Sequence, residues 1–117
     1  MKRPIATILL SLLCSTSFAQ GLITGKTLFE WQVRSFGNDN TGAVHDALVV
    51  GYVAGVVDQI LTVVPDKRII CLPAGATIDE MRKIVIQYLS ENQDARAMTA
   101  SLTIEAALLK KFPCPLR

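Results

Sequence analysis

The chain has 117 residues, half of them hydrophobic, with 12 basic and 10 acidic side chains, one histidine and three cysteines. Lys2 and Arg3 account for the whole charge excess, and no basic cluster of the kind that tracks phosphates occurs, so nothing points to nucleic acid. One histidine and few cysteines cannot build a typical zinc site, and no glycine-rich phosphate loop follows a strand, so no metal or cofactor is implied.

Residues 1–19 have the pattern of an export signal. Lys2 and Arg3 give a positive start, Ile5 to Leu13 is an apolar run, and Ser17-Phe18-Ala19 places small residues at a cleavage point before Gln20. A retained membrane anchor is the alternative, but the run is short for a span. A lipoprotein signal ending at Cys14 would want a small residue where Leu12 and Leu13 stand. Cleavage removes 19 of the 117 residues and leaves 98, the size of one domain, with no membrane segment expected in it. Two cysteines then remain, Cys71 and Cys114. In an exported chain two cysteines most often form one disulfide, here worth about 4 kcal/mol in the chain-entropy model. A reactive thiol at Cys71 is the rival reading.

The pattern predicts an all-α domain, a small bundle of about four helices with one disulfide. The first helix is expected from about Thr27 to Phe36. Thr27 and Glu30 have capping-box spacing, and Phe29, Val33 and Phe36 form one apolar face with Trp31 off it. Gly37-Asn38-Asp39-Asn40 is a turn cluster. The second helix runs from Thr41 or Gly42 to about Val63 and is the most apolar. Ala47, Gly51 and Gly55 recur every four residues, so one face has almost no side chains. A close-packed core face is the first expectation there, and a subunit interface the second. Pro65-Asp66-Lys67 ends the helix, Arg68-Ile69-Ile70 is an extended lead into Cys71, and Pro73 with Gly75 makes a turn. Thr77-Ile78-Asp79-Glu80 is a capping box. Ile78, Met81, Val85, Tyr88 and Leu89 form the inner stripe of the third helix, with Asp79, Arg82, Lys83 and Gln87 outside. Gln93 to Met98 is a polar loop. Thr99 is placed to cap the fourth helix, with Leu102, Ala106, Leu109 and Phe112 inward, Lys110 and Lys111 in its last turn, and Pro113 as its stop.

Catalytic sets are weak. His45 and Asp46 are consecutive helical positions and do not face each other. A Cys71–His45 dyad would compete with the disulfide. Asp79 and Glu80 are explained as cap residues, so no enzyme is expected.

Three phrases carry more: Gly51-Tyr52-Val53-Ala54-Gly55-Val56, then Cys71-Leu72-Pro73-Ala74-Gly75, then Phe112-Pro113-Cys114-Pro115, with Tyr88-Leu89 between the last two. Their order and spacing, over about residues 22–115, resemble the Rap/Tai group of type VI secretion immunity proteins. The resemblance implies an exported helical protein, periplasmic, that protects a cell by binding a sibling's peptidoglycan-cutting effector. It implies most closely the branch that neutralises cell-wall amidases of the cysteine-peptidase type, often as a homodimer. Many relatives carry a second cysteine pair joining the first two helices. Here those stretches offer apolar residues such as Trp31, Val33, Val49 and Val50. The implied mechanism is occlusion by a loop held on a rigid scaffold. Gln93, Asp94 and Arg96 in the loop before the last helix are the first candidates, and Asp79, Arg82 and Lys83 the second. A periplasmic acid-stress chaperone, also small, helical and disulfide-bridged, is the alternative from another class. It has few acidic residues and one histidine with which to sense protons.

Overall fold

The computed structural model describes residues 22–63 and 65–116. The export-signal reading of residues 1–19, with Cys14 and Gln20, lies outside the described residues. Four helices run in chain order: α1 Gly25–Ser35, α2 Asn40–Thr62, α3 Ile78–Glu91 and α4 Ala100–Lys111. Short 3₁₀ segments, Pro65–Lys67 and Gln93–Ala97, precede α3 and α4.

Each helix end follows from local chemistry. Thr24, not Thr27, caps α1, its hydroxyl accepting the Thr27 N–H at 3.2 Å. Asp39 caps α2 by accepting the Gly42 N–H at 3.1 Å. α2 has no basic residue in its last turn, and Arg68 supplies one from outside, donating to the Leu61 and Val63 carbonyls at 3.0 Å each. Thr77 and Glu80 form the expected capping box on α3. Thr99 holds the capping position of α4 but makes no side-chain cap. The Thr103 hydroxyl instead reaches the Ala95 carbonyl at 3.0 Å and the Thr99 carbonyl at 3.1 Å. Gly75 takes φ +80°, the left-handed region its turn requires.

The core is built from one stripe of each helix: Leu28 of α1, Val49, Val53, Val57 and Ile60 of α2, Met81, Val85 and Leu89 of α3, and Ile104, Ala107 and Leu108 of α4. α3 buries the stripe read from its spacing, with Ile78 and Tyr88 at its margin. α1 and α4 are rotated from the expected faces. α1 turns in Gly25, Leu28 and Gln32, leaving Val33 56% and Phe36 78% exposed. α4 turns in Thr103, Ile104, Ala107 and Leu108, leaving Leu102 and Leu109 exposed. Both helices carry apolar residues on adjacent faces, so period alone could not choose between them. Trp31, off the expected stripe, packs against the core margin.

The small-residue face of α2 does not pack against any other described residue, contrary to the first expectation. Ala47, Gly51 and Gly55 are exposed, and a Cβ at Gly51 or Gly55 would meet no atom within 4 Å. The valine stripe removes far more apolar area from water than glycines would, so the helix turns that stripe inward.

Two short backbone bridges close the bundle. Thr24 pairs with Thr99, the Gly25 N–H reaching Met98 O at 2.9 Å and the Ala100 N–H reaching Ile23 O at 2.8 Å. Ile70 pairs with Pro113, and beside this bridge Cys71 and Cys114 are joined by the expected disulfide, Cα to Cα 4.8 Å. It ties the end of α4 to the α2–α3 connection and excludes a free thiol at Cys71.

Alkylation of the native protein without reductant should modify neither Cys71 nor Cys114, and reduction should remove up to about 4 kcal/mol of stability by the chain-entropy model; labelling of both thiols would contradict the bridge. Alanine at two glycines should act with opposite signs. At Gly25 a Cβ would lie 2.7 Å from the Ala95 carbonyl oxygen, so Gly25→Ala should destabilise by about 1–3 kcal/mol. Gly51→Ala, measured by denaturant melts at monomeric concentration, should stabilise by about 0.5–1 kcal/mol through helix propensity. A loss there would mean that the face is packed after all.

Candidate functional site

Among the described residues the candidate catalytic groups do not come together. Cys71 is consumed by the disulfide. The His45 Nδ1 lies 2.6 Å from the Thr41 carbonyl in the first turns of α2. Among the described residues no group of three or more His, Cys, Asp or Glu comes together as metal ligands. What the fold offers is surface.

The segment Gln93–Ala97 is not the free loop its composition suggested. It is a 3₁₀ turn with Ala95 buried against the start of α1. Gln93 and Asp94 are exposed, as a docking role needs. Arg96 is not: its Nε donates to the Leu89 carbonyl at 2.9 Å, capping the end of α3, and its guanidinium lies 4.2 Å from the centre of the Phe29 ring. Arg96 is therefore also a clasp between the end of α3 and α1, not a free charge on a loop. The segment projects Gln93 and Asp94 rigidly because its backbone is held from three sides.

The outer side of α3 is likewise tied. Arg82 donates to Asp46 on α2 at 2.5 Å and to Asp79 on its own helix, and Lys83 pairs with Asp79 at 2.9 Å. Sequence reading saw Asp79, Arg82 and Lys83 as one face but missed Asp46, which lies 36 positions from Arg82. Hydrogen bonds from Lys83 and then Arg82 hold the Asp79 carboxyl below its ordinary value of 3.8. The Thr41 hydroxyl and the Gly42 N–H do the same for Asp39. Lowered folded values mean that both carboxylates contribute stability above pH 3.8, which is lost as the pH falls below it.

Between α1 and α3 lies an open groove of about 560 Å³ that the sequence reading did not foresee. Phe29, Val33 and Phe36 line it from α1 and Ile86 from α3, with Arg82 and Lys83 at its lip. It is the stripe expected inside the core, turned outward. Gln32 also lines it. That residue is 9% exposed; its Nε2 donates to Ser35 Oγ at 3.0 Å, and its Oε1 has no hydrogen-bond partner.

The two charges of the 3₁₀ segment should separate in a stability assay. Asp94→Lys should change stability by no more than about 0.5 kcal/mol. Arg96→Glu should lower it by about 2 kcal/mol, through the lost charge-assisted bond to Leu89 and the lost stacking on Phe29. Equal melting curves for the two variants would return Arg96 to the free surface.

No curated protein and no solved structure matches the chain. A family model described as Rap1a immunity proteins matches residues 24–114, from the cap of α1 to the second cysteine of the disulfide. That span takes in all four helices, both backbone bridges and both cysteines, so the resemblance carried by the three phrases extends over the whole described fold, and the chain belongs to the family of Rap1a immunity proteins.

Proposed function

We propose that this protein is the periplasmic immunity partner of a type VI secreted, peptidoglycan-cleaving amidase, and that it acts by occluding the effector's active site without chemistry of its own. The observation that carries this reading is the family match over residues 24–114. An immunity role within type VI secretion follows from the family. The amidase target and occlusion come from the closer resemblance of the phrases, and the periplasm from the signal pattern of residues 1–19. The surface suits the mechanism. Gln93 and Asp94 stand out from a segment whose backbone is fixed by Gly25, Thr103 and Arg96, so little ordering entropy is lost when they dock. Family membership favours this reading over the acid-stress chaperone.

The same reading includes a homodimer through α2. Of the 18-residue apolar window in that helix only 22% is buried within the protein, although the helix is long and apolar enough to meet the length and composition of a membrane span. Val44 and Leu48 are exposed on it together with Ala47, Gly51 and Gly55. That face meets no other described residue, which supports the second of the two expectations stated for it, a second copy. Small residues let two helix backbones approach closely, and the exposed aliphatic side chains supply area.

Cells lacking the gene should be lysed or outcompeted by armed siblings, and a copy without residues 2–19 should not rescue them. Full protection by the leaderless copy would move the site of action out of the periplasm. Gly51→Leu should leave the monomer folded but shift its elution from dimer to monomer in sizing experiments; an unchanged elution volume would remove α2 from the interface.

A further inference from the structure

We infer that the α1–α3 groove receives a segment of the cognate effector that carries an apolar anchor residue beside a carboxylate. The inference rests on the immunity reading above and adds a surface and the chemistry of its partner.

Two observations specify the occupant. The first is apolar. Phe36 is 78% exposed on the groove wall, and Phe29 and Ile86 are half-buried within the groove. Aromatic side chains that edge a pocket are the usual anchors of a protein interface. The second is the lip. The charged side chains that line the groove are both basic, Arg82 and Lys83. Arg82 uses Nη1 for Asp46 and Nη2 for Asp79, which leaves its Nε–H and further N–H groups unspent; Lys83 directs its Nζ to Asp79 alone. An entering carboxylate can take those donors without breaking the existing pairs.

A second copy of this chain fits less well. The lip of this face offers donors and, among the described residues, no carboxylate lines the groove, so a second copy brings no acceptor from the same face to meet Arg82 and Lys83. The effector fits by continuity as well. Ser90 lines both the groove and the adjoining depression formed with Glu91 to Asp94. The groove thus runs up to the segment that carries Gln93 and Asp94, and one partner can engage both.

The test uses the full mature protein. The probe is the peptidoglycan-cleaving effector against which the gene protects in the competition assay above, with its catalytic nucleophile replaced. Val33→Asp together with Phe36→Asp puts carboxylates where the anchor would sit, at two exposed positions, so thermal melting should match wild type. Calorimetry should show binding weakened about tenfold or more. Lys83→Met should weaken it about threefold and flatten its salt dependence. If wild type binds and the double variant stays within about twofold, the groove inference is overturned while the functional reading stands. If the double variant changes only the oligomeric state and not the effector affinity, the groove is a self-contact and the inference is again overturned. If wild type itself does not bind the probe, the functional reading fails and takes this inference with it.

Discussion

The approach of α1 to the backbone of the Gln93–Ala97 segment is the constraint on which the rest depends. Gly25 lies so close to the Ala95 carbonyl that any side chain there would collide with it. Around the same segment, Thr103 bonds the Ala95 carbonyl and Arg96 clasps the end of α3. The first, third and fourth helices are therefore locked at one point by backbone geometry. Buried backbone groups must find partners, and here they find them between elements far apart in sequence.

That lock fixes the rotation of α1, and the rotation decides the surface. With Gly25 facing inward, Leu28 and Gln32 follow it along the same helix face. Phe29, Val33 and Phe36 are then carried outward to form a groove with α3 instead of a core. A less demanding contact at Gly25 would leave the helix free to bury its most apolar stripe. The exposed groove is thus a consequence of tight packing elsewhere, which a small domain with a modest core tolerates because the disulfide also constrains its unfolded state.

The same pairing of rigidity and exposure runs through the molecule. Arg68 closes the end of α2, Arg96 closes the end of α3, and Arg82 staples α3 to Asp46. These cations hold elements together, and Arg82 keeps unspent N–H groups at the groove lip as well. The side chains left unspent, Gln93, Asp94 and the wall of the groove, are those on which a partner can act. An immunity protein gains from such a division, because a preorganised surface loses little entropy on docking.

The four helices and several of their ends were legible in the chain itself, although the cap of α1 fell at Thr24 and not at Thr27. Proline, glycine and capping residues act within a few positions of themselves, so the Thr77–Glu80 box, the Gly75 turn and the stop at Pro113 were legible without a fold. The disulfide was legible because the export-signal reading leaves two cysteines, which have one pairing. The α3 stripe was legible because Met81, Val85 and Leu89 recur every four residues while Asp79, Lys83 and Gln87 mark the opposite side. Tertiary structure alone decided which faces of α1, α2 and α4 turn inward, since each carries apolar residues on more than one side and periodicity is then degenerate. It also decided that Arg96 and Arg82 are clasps, because their partners Leu89, Phe29 and Asp46 lie beyond the reach of any local pattern. The docking groove belongs to this second group: its walls come from two helices, and no single stretch of the chain contains it.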